Sequence, residues 1–488
     1  MDRTEDSSTN CRRPPPAPIA SAANSSSPGL SHLLFMDQIE RSGIIMAEHL
    51  QVWRGAHRVG ELLLTSDKRT MAFTYADPVP GLAISNSLPL ATKSFDHWDL
   101  RAHNWFANLL PEEGARQALA TRLGLPDTDF DLLATLAGDC PGAVRLIPDG
   151  IAPEEPAGRR LIDLEALGLW ASGKERYALY GAGNLGDTRL TLPGNQDKIP
   201  ALAQNGKLYL PTGSQASSHL LKFAPWSSLI INELYLTHLA RAAGVPAAWT
   251  QVGRTDQGLY LLVRRYDRQY DEAGNLQRLH QEDLCQALGL SSAQKREANS
   301  GPSLAACAAL LRGITHHPDQ QVEQLLQWQM FNVLTGNCDG HAKNLSVIQD
   351  AGGNWALAPA YDLMCTLPFT HDRHLAFAVG GNHEPEKITP ADWEALATDM
   401  GVSPSRALRM LAGLAQQLRE LANSDELRES MEKAWMAEGE WDKVKLVRQL
   451  VCQQCDRALE NLAEVGVNPG FDPAELDQQM GSNAVTLG

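Results

Sequence analysis

Gly336-Asn337-Cys338-Asp339-Gly340-His341-Ala342-Lys343-Asn344 is the stretch on which the reading of this chain turns. It follows a segment in which Val322, Leu325, Leu326, Met330, Val333 and Leu334 recur as one face of a helix. Gly336 is suited to stop that helix. A loop that leaves a buried helix holds its side chains in fixed places. Asp339 and Asn344 stand in the spacing D-x-x-x-x-N. In phosphoryl-transfer sites that spacing sets a carboxylate beside the acceptor hydroxyl and an amide oxygen on magnesium. Ordinary loop turns use the same residue types, so the motif has to be read with its neighbours.

Downstream, Leu345 to Ile348 is apolar and strand-like, Asp350-Ala351-Gly352-Gly353-Asn354 is a turn, and Trp355 to Leu357 starts a returning strand. The hairpin is expected to bring Asp362 back beside Asn344. Two hard oxygen ligands near Asp339 would then suit magnesium, which takes few protein ligands and completes its shell with phosphate oxygens. Upstream, Ser218 to Phe223 reads as a strand with Lys222 inside it, and a buried lysine needs a partner. Glu233 is expected in the first turn of the following helix, whose apolar face carries Ile231, Leu234, Tyr235, Leu239 and Ala242. A strand lysine paired with such a glutamate orients phosphates in kinases, although a surface ion pair would give the same pattern. Leu190 to Lys198, with Pro193-Gly194-Asn195-Gln196-Asp197 at its centre, reads as a strand, a glycine turn and a strand, able to bring backbone N–H groups to phosphates. It does not fit the GxxxxGK[ST] pattern.

The bulk numbers set the frame. A chain of 488 residues with 43% hydrophobic and 20% charged residues is globular; roughly two to three domains are expected. The net charge of −16 argues against broad sequence-independent binding of nucleic acid. There is no run of about 18 apolar residues and no basic-then-apolar leader. Eight scattered cysteines read as reduced thiols, so a cytoplasmic location is expected, with no membrane partner. Residues 1–45 are expected to be a disordered extension, rich in Ser and Pro, so that translation could start at Met1, Met36 or Met46. Residues 46–150 read as an α/β unit: a β-meander, then helices with Pro111 at a boundary, then a strand. Residues 151–270 read as a strand-rich lobe, 271–472 as a helical lobe and 473–488 as a tail.

Other patterns lead elsewhere. Gly181 to Gly186 matches GxGxxG, but RLTL follows where a dinucleotide site needs a helix, which favours a linker. Cys452 and Cys455 lie in a helical run without a second pair, which favours packing over zinc. His316-His317 before Pro318 reads as a loop or helix cap.

Taken together, these residues resemble the HipA family of toxin kinases. LQVWRGAHRVGEL and WFANLLPE resemble the family's N-terminal subdomain, LPGNQDKIPAL its phosphate loop and HLLKFAP its nucleotide-lysine strand. INELYLTHLARAAGVP, LLVRRYDR, GNCDGHAKNLSV and LAPAYDLM resemble its αC-like helix, hinge, catalytic loop and metal loop, in unbroken order over about 50–465. The implied fold is α+β: an N-terminal α/β subdomain and a two-lobed protein-kinase-like core with an all-helical C-terminal lobe. The implied cofactors are ATP and Mg2+. By the resemblance, Asp339 is the catalytic base, Asn344 and Asp362 hold magnesium, and Lys222, positioned by Glu233, meets phosphates. Pro193, Gly194, Asn195, Gln196, Asp197 and Lys198 cradle the triphosphate. Val263 to Tyr266, with Arg264 and Arg265, form the hinge that reads adenine, and His341 and Lys343 line the site. Thr191 falls where the family carries an autophosphorylated serine, and a phosphate there would add strong negative charge to the loop. The implied partners are a protein substrate of the aminoacyl-tRNA synthetase class and a small DNA-binding antitoxin, through which DNA is reached only indirectly. A catalytically degenerate kinase fold, acting with that antitoxin in transcriptional autoregulation, is the alternative. The presence of Lys222, Asp339, Asn344 and Asp362 together favours the active enzyme.

Overall fold

Alternation along one strand decides how the molecule is layered. In Leu259–Arg264, Tyr260 and Leu262 face one apolar core, while Leu261 and Val263 face another. Successive strand residues point to opposite faces, so a strand that is apolar at every position must be covered on both sides. This computed structural model describes residues 48–467 apart from 80, 137, 152–155, 176–191, 195, 351 and 371. The GxGxxG run, Thr191, Asn195 and the proposed terminal extension and tail lie outside the described residues.

The first unit is a five-stranded sheet built from β1 (His49–Arg54), β2 (His57–Leu64), β3 (Met71–Tyr75), β4 (Ser94–Phe95) and β5 (Val144–Pro148), in the order β4-β3-β2-β1-β5. The meander read from the sequence is therefore present, and β5 adds to its β1 edge. Three helices pack on it: α1 (Leu100–Ala107), α2 (Glu113–Leu123) and α3 (Asp129–Leu136). Asp99 caps α1 by accepting from the Arg101 N–H, a device worth about 1 kcal/mol.

The second unit is a six-stranded sheet in the order β10-β11-β9-β7-β8-β6. Its strands are β6 (Gly158–Leu161), β7 (Lys198–Gln204), β8 (Lys207–Thr212), β9 (His219–Lys222), β10 (Thr250–Arg254) and β11 (Leu259–Arg264). The helix α4 (Leu164–Ala171) follows β6, and Trp170 stacks on Phe223 at 4.3 Å. One face of this sheet shares a core with the first unit through Leu221, Phe223, Tyr260 and Leu262. The other face is covered by α5 (Ser227–Ala242). Because α5 starts at Ser227, Glu233 lies in its second turn and not in the first. Trp226 is still extended (φ −128°, ψ 134°) and the helix begins at the next residue, earlier than the apolar spacing suggested.

Two short strands, β12 (Arg268–Tyr270) and β13 (Leu276–Arg278), form a hairpin beyond the hinge. The last lobe is helical apart from a three-stranded sheet of β14 (His280–Asp283), β15 (Ser346–Gln349) and β16 (Trp355–Leu357). Its helices are α6 (Leu284–Leu288), α7 (Leu304–Ile314), α8 (Pro318–Thr335), α9 (Pro390–Asp399), α10 (Pro404–Asn423), α11 (Asp425–Ala434) and α12 (Lys445–Glu464). Phe331 of α8, Leu418 of α10 and Val451 and Cys455 of α12 are buried in one core. Cys455 thus packs as a hydrophobe, and Asn423 Nδ2 donates to Cys452 Sγ at 3.3 Å. Among the described residues no helix is long and apolar enough to cross a membrane.

Candidate active site

The catalytic loop is built from α8 outward. Gly336 ends the helix with φ 69°, and a Cβ there would lie 2.5 Å from Leu367, so both the turn and the packing require glycine. Asn337 braces the loop from its first residue. Its N–H donates to Asn332 O (2.8 Å), its Nδ2 to Asn332 Oδ1 (2.9 Å), and its Oδ1 accepts from the Asp339 N–H (3.2 Å). A short 3-10 turn, Ala342–Asn344, then leads into β15. Asn344 Nδ2 donates to Asp339 O at 3.1 Å, which closes the loop on itself and leaves the amide oxygen for another partner.

The returning hairpin delivers Asp362 as expected. Ala360 is tied to the strand-rich lobe through Ala248 N–H to Ala360 O and Ala360 N–H to Pro246 O, both 2.8 Å. Asp362 itself has φ 60°, a conformation that non-glycine residues adopt at a cost. Beyond it, Asn232 of α5 donates to Cys365 O (2.9 Å) and accepts from the Cys365 N–H (3.2 Å). The helix that carries Glu233 therefore also fixes the loop after Asp362.

Lys222 stands between them. Its Nζ donates to Glu233 Oε1 at 2.5 Å and to Asp362 Oδ1 at 2.6 Å. Strand alternation sends Lys222 to the face of Leu220 and α5, so the pair predicted from sequence is buried and not a surface bridge. Burial alone would lower the lysine pKa; the charges of Asp362 and Glu233 reverse this and raise it. Burial likewise opposes ionisation of Asp362, but Lys222 and Lys198 hold its carboxyl well below the usual range. Burial and the Asp362 charge push Glu233 up, against the pull of Lys222.

Lys222, Glu233 and Asp362 line one cavity of about 120 Å³ that opens to solvent. Its floor and roof include Pro193, Gly194, Lys198, Leu220, Ala248, Val263, His341, Asn344 and Tyr361. Gly194 has φ 107°, and a Cβ on it would lie 2.7 Å from Lys198 Nζ. Glycine here admits both the turn and the lysine amine. Burial lowers the Lys198 pKa, with Lys222 adding to this and Asp362 opposing it. His341 is pushed down to about 3 by burial and by Lys295, so its ring is neutral at physiological pH.

Asp339 lies at the rim. Its carboxyl is about half exposed and pairs with the Arg296 guanidinium, which also donates to Cys338 O at 3.2 Å. The packed loops around it and the Asp362 charge raise its pKa, against the pull of Arg296 and Lys295. A carboxylate raised in this way is better matched to general-base work. Asn344 and Asp362 present hard oxygens to the same cavity, a donor set that fits magnesium with phosphate oxygens filling the remaining positions.

Several expected nucleotide contacts differ. Lys343 lines the cavity, but its Nζ is held by Asn108 Oδ1 (2.7 Å) and Asp283 Oδ2 (2.8 Å), which makes it a strut to the first unit. The Arg265 side chain turns away into a buried cluster with Asp267, Ser217 and Cys140. The N–H groups of Arg264 and Arg265 already serve the sheet, donating to Trp249 O (2.9 Å) and Ser218 O (3.0 Å). Tyr266 stacks with Tyr361 at 5.8 Å and donates to Gln281. Gln196 and Asp197 lead into β7, and Asp197 O accepts from the Phe223 N–H at 2.9 Å. Sequence reasoning missed Glu112, Asp283, Lys295 and Arg296. No local motif marks them, and the one available signal was the charge run Lys295-Arg296-Glu297.

Comparison with known proteins agrees with this geometry. Residues 50–147 match the HipA N-terminal domain and residues 190–422 the HipA-like C-terminal domain. The Sinorhizobium fredii protein Y4mE is 34% identical over 388 residues, covering 76% of this chain and 90% of that protein. The serine/threonine-protein kinase toxin HipA of Shewanella oneidensis is 27% identical over 400 residues, covering 76% of this chain and 87% of that protein. HipA in a solved complex of HipA, HipB and operator DNA from Shewanella oneidensis MR-1 superposes with a TM-score of 0.72 at 25% identity, over 87% of this chain and all of that one. With both domains matched in order, and with Lys222, Asn344 and Asp362 lining one cavity, the chain belongs to the HipA family of kinases.

Proposed function

We propose that the protein is an ATP- and magnesium-dependent serine/threonine protein kinase, the toxin arm of a toxin–antitoxin pair. One observation carries the reading: Lys222 bridges Glu233 and Asp362 inside the cavity that also presents Asn344. Few folds other than a phosphotransferase need two carboxylates, an amide and a lysine converging on empty space. The bound magnesium would be held by Asn344 and Asp362 and would supply charge neutralisation at the phosphates. Lys222 and Lys198 orient the phosphates. Asp339 accepts the proton of the acceptor hydroxyl once Arg296 yields its carboxyl. His341, kept neutral, adds no charge beside the base. Backbone of the Val263–Tyr266 hinge borders the adenine position.

The relative in the solved complex is assembled with HipB and operator DNA. By that likeness, and with a net charge of −16, the protein would reach DNA through a small DNA-binding antitoxin and not by itself. An aminoacyl-tRNA synthetase is the proposed substrate class and the cytoplasm the proposed location. Thr191 is proposed as a self-phosphorylation site.

The test is label transfer from γ-labelled ATP with magnesium, for the parent and for Asp339→Gln, into the chain itself and into a bacterial extract. Transfer by the parent with loss of at least about a hundredfold in the variant is expected. ATP binding without transfer by either protein would leave the degenerate, antitoxin-binding reading, which the Arg296–Asp339 pair favours because it occupies the base. Absence of ATP binding would refute the kinase reading.

A further inference from the structure

The first unit does more than flank the kinase-like core. Pro111 forms a parallel bridge with Gly194, and the Glu112 N–H donates to Gly194 O at 3.1 Å. The Glu112 side chain then enters the cavity wall. Its Oε2 pairs with Lys295 Nζ at 2.7 Å, and its Oε1 lies 3.6 Å from Lys343 Nζ. Lys295 precedes Arg296, the residue that grips Asp339, and its carbonyl accepts from the Ala342 N–H at 3.0 Å. Glu112 thus meets the phosphate loop through its backbone N–H, and the catalytic loop and the segment that holds the base through its side chain.

We propose that Glu112 is a positioning residue of the phosphotransfer site, through which the N-terminal unit sets the phosphate loop and the catalytic loop in one arrangement. The proposal rests on the kinase reading above. Three features support it. Glu112 is 9% exposed, yet its Oε1 accepts no hydrogen bond among the described residues, so that oxygen serves through charge. Burial opposes its ionisation, but Lys343 and Lys295 hold its carboxyl below the usual range, so it stays charged. A buried anion between two lysines sets the local field, and here that field falls on a cavity meant for phosphates and on the base at its rim. In its absence Lys295 would act unscreened on Asp339.

The experiment uses the full chain, the parent and Glu112→Gln, which keeps volume and a hydrogen-bonding group and removes the charge. Label transfer is measured against ATP concentration and pH. The expected variant has kcat reduced at least about tenfold with KM for ATP within about threefold. Its acidic limb moves to lower pH, because an unscreened Lys295 favours ionised Asp339. Adding Lys295→Gln restores the limb toward its parent position. A purely structural role would lower the melting temperature and leave the limb in place. Hydrogen exchange of the Gly194–Lys198 and Asp339–Asn344 amides, which needs no activity, is followed on the same proteins. Faster exchange in both loops of Glu112→Gln supports the proposal; equal exchange, or an active parent with an unshifted variant, overturns it. An inactive parent whose two loops still loosen in Glu112→Gln overturns the kinase reading alone.

Discussion

Two buried ionic clusters lie either side of the hinge and serve opposite ends. In one, Lys222 joins Glu233 and Asp362 and opens onto a cavity. In the other, Asp139 of the first unit and Asp267 are enclosed by Arg265, Arg268 and Arg278, with contacts of 2.8 to 3.5 Å. Burial would raise both acids of the second cluster, yet the arginines hold Asp139 far below the usual range and Asp267 at about 2. The Gly142 N–H and the Ser217 N–H donate to the same carboxylates at 2.7 and 3.0 Å. The second cluster pairs every carboxylate with arginines, leaves only Arg268 Nε unmet among the described residues, borders the cavity through Arg265 and Asp267, and stitches the first unit to the hinge strand. The first keeps a buried acceptor, Glu233 Oε2, unsatisfied, together with His341 Nδ1 in the same cavity wall. Charge burial does not by itself mark a catalytic site; buried charge that faces open space with unmet capacity does.

Substitutions can break this comparison. Lys222→Met is expected to cut label transfer by about a hundredfold to a thousandfold while urea midpoints fall little, since Glu233, already pushed up, can be protonated. Loss of folding without any specific loss of transfer would erase the distinction. Asp139→Ala should do the reverse: it strands arginines that are 1% to 14% exposed and should cost about 3–5 kcal/mol in urea unfolding. Transfer per folded molecule should change far less.

Glu282 sharpens the contrast as a third buried acid. It receives the Trp105 Nε1–H (2.9 Å) and the Asn86 N–H (3.2 Å) across the interface with the first unit. No cation is paired with it among the described residues, and burial raises its pKa to about 7. A carboxyl raised on folding binds its proton more tightly in the folded state. Its stabilising contribution is therefore complete below the ordinary carboxyl pKa and is lost as pH rises through about 7. Thermal melts between pH 5 and 9 should show a decline on the order of 1 kcal/mol per pH unit up to about pH 7 and a levelling above it, the decline being flattened in Glu282→Gln. A parallel decline in that variant would assign it to other groups. The smallest effect is expected at the rim: Arg296→Gln should move the acidic limb of label transfer to higher pH, opposite to Glu112→Gln, because Arg296 pulls the Asp339 pKa down. The exposure of the pair limits this to a severalfold change in rate near the limb.

Much of this was legible in the chain itself because the signals are local. The helix stop at Gly336, the hairpin from Leu345 to Leu357 and the strand lysine at 222 depend on residues within a turn or two of each other. Spacing therefore singled out Lys222, Asp339, Asn344 and Asp362 as candidates, and the resemblance to the HipA family gave them their roles. The start of α5 was misplaced because its first residues, Ser227 and Ser228, carry no apolar side chain. The roles of Glu112, Asp283, Lys295 and Lys343 could be decided only in three dimensions: Lys343 meets Asn108 across 235 positions, and Lys295 meets Glu112 across 183. Sequence fixes periodicity and turn chemistry, which act over one or two turns of chain. The pairing of charges brought together by packing, and the choice of which remains open to a ligand, belong to the tertiary structure, because Coulomb energy depends on distance and burial and not on order along the chain.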